Sequence, residues 1–172
     1  MVKRIILGLG MFLSSAAFAT PNACVDFMKC GTYEGPGMDY DQNNQPVQDS
    51  DFVESITLSS TGDLSLNIKQ SMWPTGKPDE VFYTLDLNVT FQANGTYVAR
   101  RNDGRVYASG ICQTSQVCTL SMIPFAWKSG ENTGVTGNVN ILRFENGKIY
   151  RSMMASVNKG DIRFQRSEMT KK

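Results

Sequence analysis

The 172-residue chain carries 17 lysine and arginine residues against 16 aspartate and glutamate residues, and it contains no histidine. The near-neutral balance, without a basic tail or an arginine-rich helix, excludes a nucleic-acid-binding protein of the strongly basic kind. The missing imidazole excludes Ser-His-Asp and Cys-His catalysis, and the length suits one domain with a substantial core.

The charges are unevenly distributed along the chain. Residues 20–99 carry eleven acidic and three basic side chains, whereas residues 100–172 carry five acidic and twelve basic side chains. We therefore expect an electrically polarised molecule, unless the two halves interleave in the fold.

The N-terminal segment 1–19 has the pattern of a Sec-type export signal. Lys3 and Arg4 precede the apolar stretch 5–18, and Ala17-Phe18-Ala19 is typical of a cleavage site. The apolar stretch is shorter than the roughly 20 residues that a membrane-spanning helix needs. The sequence predicts cleavage after Ala19, a mature domain of residues 20–172, and a periplasmic or secreted location.

Four cysteines, Cys24, Cys30, Cys112 and Cys118, form two pairs with six-residue separations. An even number of cysteines in an exported chain indicates disulfides, and four allow three connectivities. We favour 24 with 30 and 112 with 118, because strand-like residues flank the second pair and a hairpin would place its cysteines opposite each other. Without histidine or C-x₂-C spacing, neither a structural zinc site nor dithiol redox catalysis is expected.

From residue 31 onward, alternating apolar and polar residues separated by turn dipeptides predict about ten β-strands. The irregular connections are a Pro/Gly-rich segment at 73–78 and a loop at 125–133. The predicted strands are 31–35, 52–59, 64–68, 81–91, 96–101, 105–112, 117–124, 135–144, 148–157 and 161–167.

The tight turns between successive strands predict an all-β, antiparallel up-and-down meander. A long meander removes its exposed edges by closing into a barrel, so we expect a closed barrel of 8–10 strands. The alternative is a β-sandwich, which normally needs longer crossovers. A membrane-spanning barrel is not expected, because charged residues occur on the polar strand faces and no continuous aromatic girdle is present.

The beginning of the predicted barrel resembles a known superfamily. Asp26-Phe27 followed by Gly31-Thr32-Tyr33 is similar to the first motif of lipocalins and other calycins, with Tyr33 at the position of the usual tryptophan. In that motif a capping turn leads into the first strand. The ten-strand count and the basic, aromatic last strand, 161–166, look more like fatty-acid-binding proteins. The resemblance implies a calycin-like barrel and does not define a function.

Three arginines share predicted strand faces with apolar residues: Arg143, Arg151 and Arg166. If those faces point inward, the guanidinium groups can bind the head group of an acidic amphiphile, and Met153 can form a deformable cavity wall. The alternative is that the arginines lie at the rim with their charges in water and that the methionine belongs to the ordinary core.

Trp73 and Trp127 fall in the two predicted irregular loops. They can flank a cavity mouth, form a partner surface, or close a barrel end. Among the acidic residues of segment 39–54, Asp39, Asp41 and Asn43 have the D-x-D-x-N spacing of a calcium loop, but the residues further along depart from that pattern. We therefore interpret the segment as a solvated acidic loop and expect neither a metal nor another cofactor.

Together these features predict an exported, soluble binding protein that holds a small apolar or amphiphilic ligand in a β-barrel. The alternative is an envelope protein-interaction module or inhibitor that uses the acidic loop 39–54 or the loop around Trp127. No enzymatic activity is expected, because the carboxylate pairs lie in polar segments and no phosphate-binding glycine loop is present.

Overall fold

A computed structural model describes residues 21–114, 117–122, 125–129, 132–136, 139–157 and 161–172. The predicted export signal, residues 1–19, lies outside these ranges. The described residues form one short π-helical turn, Ala23–Phe27, and twelve strands. The strands are β1 (Gly31–Tyr40), β2 (Pro46–Gly62), β3 (Ser65–Pro74), β4 (Tyr83–Phe91), β5 (Thr96–Arg101), β6 (Val106–Thr114), β7 (Val117–Met122), β8 (Phe125–Ser129), β9 (Asn132–Thr136), β10 (Val139–Glu145), β11 (Lys148–Val157) and β12 (Asp161–Lys171).

Ten of these strands close into an antiparallel barrel. Their order is β10-β7-β6-β5-β4-β3-β2-β1-β12-β11, and the pairing of β11 with β10 completes the ring. Successive strands are neighbours throughout, except that β7 is followed in the ring by β10. This confirms the predicted up-and-down barrel over the sandwich. The barrel agrees with the calycin resemblance at the level of the fold.

The inward side of each strand follows from its alternation. On β4, Leu87, Val89 and Phe91 are buried while the residues between them are more exposed. On β2, the buried residues are every second one from Phe52 to Leu58. Because successive side chains of a strand point to opposite faces, this period of two directs the apolar set into the barrel.

Strands β8 and β9 form a hairpin that extends one end of the barrel wall. Phe125 is paired with Thr136 and Ser129 with Asn132, and β9 also pairs with the end of β11 through Val135 and Ser156. The prediction of an irregular loop at 125–133 was therefore wrong. Each strand has only five residues, too few for a clear alternation, and the glycines nearby are typical of loops.

The end of the barrel that receives the N-terminal segment is closed by the turn Ala23–Phe27, which we call the plug. Phe27 stacks on Phe91 with ring centroids 4.8 Å apart, and Tyr33 at the start of β1 donates a hydrogen bond to the carbonyl of Lys29 at 3.0 Å. All three aromatic residues belong to one apolar core that fills this half of the barrel. We call this end the plugged end and the opposite one, from which β8 and β9 extend, the hairpin end.

Both predicted disulfides are confirmed. Cys112 and Cys118 are directly paired on β6 and β7, with Cα atoms 4.0 Å apart. Cys24 and Cys30 enclose the plug and have Cα atoms 4.9 Å apart. The bonds join neighbouring segments at the plugged end.

The segment 39–54 is mostly strand and not a loop. β1 continues to Tyr40, a tight turn covers residues 41–45, and β2 begins at Pro46. The sequence did not predict these strand ends because they contain many polar residues. A barrel wall that faces solvent accepts polar side chains, so such residues do not exclude a strand. Among the described residues, no helix has the length and apolar character required to cross a lipid bilayer.

Candidate binding site at the hairpin end

A charged and polar cluster lies inside the barrel, on the hairpin side of the apolar core. The Glu54 side chain is fully buried and that of Arg151 is 2% exposed. The Nε of Arg151 lies 2.7 Å from Oε1 and 2.8 Å from Oε2 of Glu54. Gln70 Nε2 donates to Oε1 at 2.6 Å, and Ser167 Oγ donates to Oε2 at 2.5 Å. The carboxylate is thus compensated by a cation and two neutral donors.

The geometry of β1 allows this cluster to form. β1 lies between β12 and β2, with Gly35 opposite Glu54 and Gly37 opposite Ser167. Because neither glycine has a side chain, Glu54 can reach Ser167 across β1. A Cβ at Gly37 would overlap the ring of Phe52. Gly37 therefore provides space for the Phe52 ring, whereas Gly35 allows β1 to approach the backbone of Glu168 and Met169 on β12.

The cluster continues toward the hairpin end through Gln165 to Asp39. Arg151 Nη2 donates to Gln165 Oε1 at 3.4 Å, and Asp39 is paired with Gln165 across β1 and β12. Burial raises the pKa of Asp39, whereas the hydrogen bond with Gln165 and the charges of Arg151 and Arg163 act in the opposite direction. Asp39 Oδ1 is buried and accepts no hydrogen bond from the described residues. It is the acceptor of this interior that is open to a further donor.

Two tyrosines flank the interior on the opposite wall. The hydroxyl groups of Tyr83 and Tyr107 are 3.3 Å apart, and the guanidinium of Arg101 lies 4.9 Å from the ring centroid of Tyr107. Burial raises the pKa of both phenols. Burial also raises the pKa of Tyr33 and Tyr97, which lie toward the plugged end.

These four tyrosines predict a loss of stability at high pH. An unfolded phenol ionises around pH 10.0, whereas the folded phenols keep their protons to higher pH. The unfolded state therefore releases more protons, and the free energy of unfolding should fall as pH rises above 10. The melting temperature between pH 8 and 12 measures this. Absorbance of phenolate at 295 nm should rise together with unfolding, and four ionised buried tyrosines in a folded protein would contradict the prediction.

The rim of the hairpin end is apolar. Five of the six large apolar side chains that are exposed in the described part of the chain lie toward this end, and the sixth, Val25, lies in the plug. Phe82 is 57% exposed, and its ring is perpendicular to that of Phe52 at a centroid distance of 6.4 Å. The five exposed apolar side chains toward the hairpin end are those of Val81, Phe82, Val106, Met154 and Ile162.

Clefts open at both ends of the described barrel. One, of about 170 Å³, is at the hairpin end and is lined by Asp41, Gln42, Ile162 and Arg163. The other, of about 150 Å³, lies at the plugged end beside Tyr33 and the β10–β11 turn. Pockets for drug-sized ligands usually measure about 300–1,000 Å³. The dimensions suit a compact ligand at the barrel end better than a long chain inside the barrel.

The structure separates the three candidate arginines. Arg151 is inside the barrel, and Met153 is partly buried against the core. The faces that carry Arg143 and Arg166 point outward, so for these two residues the hypothesis of a ligand contact inside the barrel is wrong and the alternative, charges in water, holds. Arg143 pairs with Glu145 at 3.4 Å, and Arg166 lies over the ring of Tyr40 at 4.8 Å. The inward residues are their neighbours in sequence, because a shift of one residue exchanges the faces of a strand.

The two tryptophans lie in strands and not in irregular loops. Trp73 is on β3, opposite Val53, with a half-buried side chain on the outer wall. Trp127 is on β8, opposite Gly134. The prediction that they lie in irregular loops was therefore wrong.

The calcium candidates have separate roles. Asp41 Oδ1 accepts hydrogen bonds from the backbone amides of Asn43 at 2.9 Å and Gln45 at 2.8 Å, which closes the β1–β2 turn. These bonds lower the pKa of Asp41. Asp39 belongs to the interior cluster. Within the ranges that the structure describes, no group of three or more carboxylate or cysteine side chains is placed to hold a metal ion.

Sequence reasoning missed most of the interior cluster. The sequence analysis includes Glu54 only within the acidic segment 39–54, and Gln70 falls just beyond the predicted strand 64–68, although each occupies an inward position between apolar neighbours, as in Phe52-x-Glu54-x-Ile56. That interruption of the alternation was a usable signal. No protein-family model matches the chain, and a search of curated proteins found no match either.

Proposed function

We propose that the protein is an exported binding protein that takes a compact amphiphilic ligand at the hairpin end of its barrel. Asp39 supports this proposal most directly. It combines a buried acceptor that receives no hydrogen bond from the described residues with a position toward the same end of the barrel as the apolar rim. Ligand sites commonly combine apolar walls with a few polar groups that orient the ligand.

The charges favour a ligand whose head group donates hydrogen bonds. Arg151 is already paired with Glu54, so its charge is compensated within the protein. A carboxylate head group would meet the Asp39 side chain next to that compensated pair. A hydroxyl, amide or ammonium group instead supplies the donor that Asp39 Oδ1 can accept. This changes the expected ligand from an acidic amphiphile to one with a donor head group.

The apolar part of the ligand is assigned to the rim. Phe82 and Ile162 are exposed, and Ile162 lines the cleft of about 170 Å³ at this end. Contact with a ligand would remove apolar surface from water, which is worth about 25 cal/mol per Å². A short hydrocarbon chain suits a cleft of this size.

Export is part of the proposal and has two supports. The sequence of residues 1–19 has the pattern of an export signal, and both cysteine pairs form disulfides. Disulfides of this structural kind persist in oxidising compartments such as the periplasm or the extracellular space.

The test compares binding of four short probes: 1-hexanol, hexanamide, hexylammonium and hexanoate. We expect the three donor-headed probes to bind and hexanoate to bind more weakly. Asp39→Asn should weaken binding of the donor-headed probes about 10-fold or more, because a hydrogen bond to a charged group contributes about 1.5–3 kcal/mol. Isothermal titration calorimetry measures both effects, and native mass spectrometry of protein purified from its source shows any ligand retained.

Stability provides an independent readout for the same substitution. Because burial raises the pKa of Asp39, the folded state binds this proton more tightly than the unfolded state does, and stability is lost as the carboxyl group ionises with rising pH. Asp39→Asn should therefore keep or raise the melting temperature at neutral pH. Asp49→Asn, in the same segment but exposed, is the control and should change neither property. Equal binding by wild type and Asp39→Asn, or no binding of any probe, would reject the proposed site.

A second candidate function is supported by strand β8. Among the described strands it pairs only with β9, so its other edge is open to an added strand. An exposed strand edge can bind an extended segment of a partner protein. A photo-crosslinker at Trp127 should capture an envelope protein if this edge is used, and the same group at Val98 on β5 is the control.

A further inference from the structure

The outer wall of the barrel carries an apolar surface centred on β1. In the half of this strand nearer the hairpin end, the outward residues are Pro36, Met38 and Tyr40, as their positions between inward Gly35, Gly37 and Asp39 require. Their neighbours on the adjoining strands extend the surface. We call the following set the β1 patch: Pro36, Met38, Tyr40, Val53, Trp73, Met154 and Phe164.

The pairing register makes the patch continuous. In one row across the strands, Met154 of β11 is paired with Phe164 of β12, which is paired with Tyr40. Two rows away, Pro36 is paired with Val53, which is paired with Trp73 of β3. Directly paired side chains on one face lie about 4.5–5.5 Å apart and contact each other. The patch therefore runs diagonally across five strands.

The middle row has a charge on each side. Met38 is paired with Arg166 on β12 and with Asp51 on β2, and both charged residues are exposed. Neighbouring strands are about 4.8 Å apart, which places the two charges on either side of Met38 at roughly equal distances. Arg166 remains close to the patch through its contact with the Tyr40 ring.

We propose that the β1 patch is the contact surface of a symmetric dimer formed with a second copy of this chain. If the two-fold axis runs parallel to β1 and passes beside Met38, the lateral order of strands is reversed in the facing copy. Arg166 then faces Asp51 of the partner subunit, and Asp51 faces Arg166 of the partner subunit. Such an interface is isologous and closes at two copies.

The charge distribution of the whole chain favours the same axis. The acidic part of the chain, residues 20–99, forms β1–β4 and most of β5. The basic part, residues 100–172, forms β6–β12. β1 and β12 therefore meet at a boundary between an acidic and a basic wall. A two-fold axis along β1 opposes the acidic side of one copy to the basic side of the other. Complementary potentials of this kind determine the register of an interface and speed association.

Sedimentation velocity of the purified protein over a concentration series tests the dimer. We expect the wild type to dimerise, and each single substitution, Asp51→Arg or Arg166→Asp, to raise the dimer dissociation constant at least 10-fold, because like charges then face each other. The double variant Asp51→Arg with Arg166→Asp exchanges the two charges and should restore association. High salt should reduce the difference between single and double variants.

Two further variants separate the interface from general effects. Met38→Lys places two lysines next to the axis and should abolish the dimer while the melting temperature stays close to that of the wild type. Val98→Lys, an outward change on the distant strand β5, is the matched control and should leave the dimer intact. A wild type that stays monomeric at all concentrations, or single charge variants that dimerise normally, would overturn the proposal. Asp39→Asn leaves this surface unchanged, so failure of the ligand site and failure of the dimer are distinguishable.

Discussion

Replacing Glu54 with alanine is expected to lower the free energy of unfolding by about 3–5 kcal/mol. The substitution leaves the Arg151 guanidinium inside the barrel without its carboxylate partner, at a position where the side chain is 2% exposed. It also removes the acceptor of the hydrogen bonds from Gln70 and Ser167. Equilibrium unfolding in urea measures the change.

Two further variants show whether such a loss of stability comes from the buried charge. Glu145→Ala breaks the Arg143–Glu145 pair, whose side chains are 53% and 51% exposed, and should cost less than about 1 kcal/mol because water screens such pairs. The double variant Glu54→Leu with Arg151→Met replaces both charges with apolar groups and should recover most of the lost stability. If Glu54→Ala costs no more than Glu145→Ala, the buried cluster does not stabilise the barrel.

Replacing Phe27 with alanine is expected to lower the free energy of unfolding by about 3–5 kcal/mol. The Phe27 ring is 8% exposed and stacks on Phe91 in the core, so its loss leaves a cavity beneath the plug. Cys24–Cys30 keeps the turn closed and limits the collapse that would fill this cavity. Thermal and urea unfolding measure the effect.

The matched control lies two residues earlier in the same turn. Val25 is 57% exposed, so Val25→Ala should change the free energy of unfolding by less than about 0.5 kcal/mol. A Phe27→Ala variant as stable as Val25→Ala would show that the plug contributes little to the core. In that case the plugged end would have to be regarded as a second open end of the barrel.

Much of the barrel could be predicted because local rules act along each strand. The Asn146-Gly147 dipeptide predicted the turn between β10 and β11, where both residues have positive φ, 51° and 77°. The long alternation before Phe91 predicted the inward side of β4. The equal spacing of the two cysteine pairs predicted both disulfides. Each of these signals depends on residues close together in the chain.

The short strands at the hairpin end could not be predicted in the same way. β8 and β9 depend on pairing with each other and with the end of β11, and the last contact joins Val135 to Ser156. Such pairing occurs between segments distant in sequence and overrides weak local preferences. Because of this pairing, Trp127 lies in strand β8 and not in the predicted loop.

The interior cluster, too, could be predicted only in part from the sequence. Alternation grouped Arg151 correctly with Ile149 and Met153 but gave no partner for its charge. That partner, Glu54, is 97 residues away in sequence, and only closure of the barrel brings it within 2.7 Å. The outward direction of Arg143 and Arg166 depended on the strand register. Because both faces of these strands carry apolar and polar residues, the sequence alone specifies that register only weakly.

By itself, the sequence determined the all-β class, the up-and-down order of the barrel strands and the two disulfides, because alternation, turn residues and short cysteine spacings act locally. Only the tertiary structure decided which polar groups meet inside the barrel and which apolar residues share its outer wall. Those relations depend on strand register and ring closure, which bring β1 next to β12 and place the buried carboxylate of Glu54 beside Arg151.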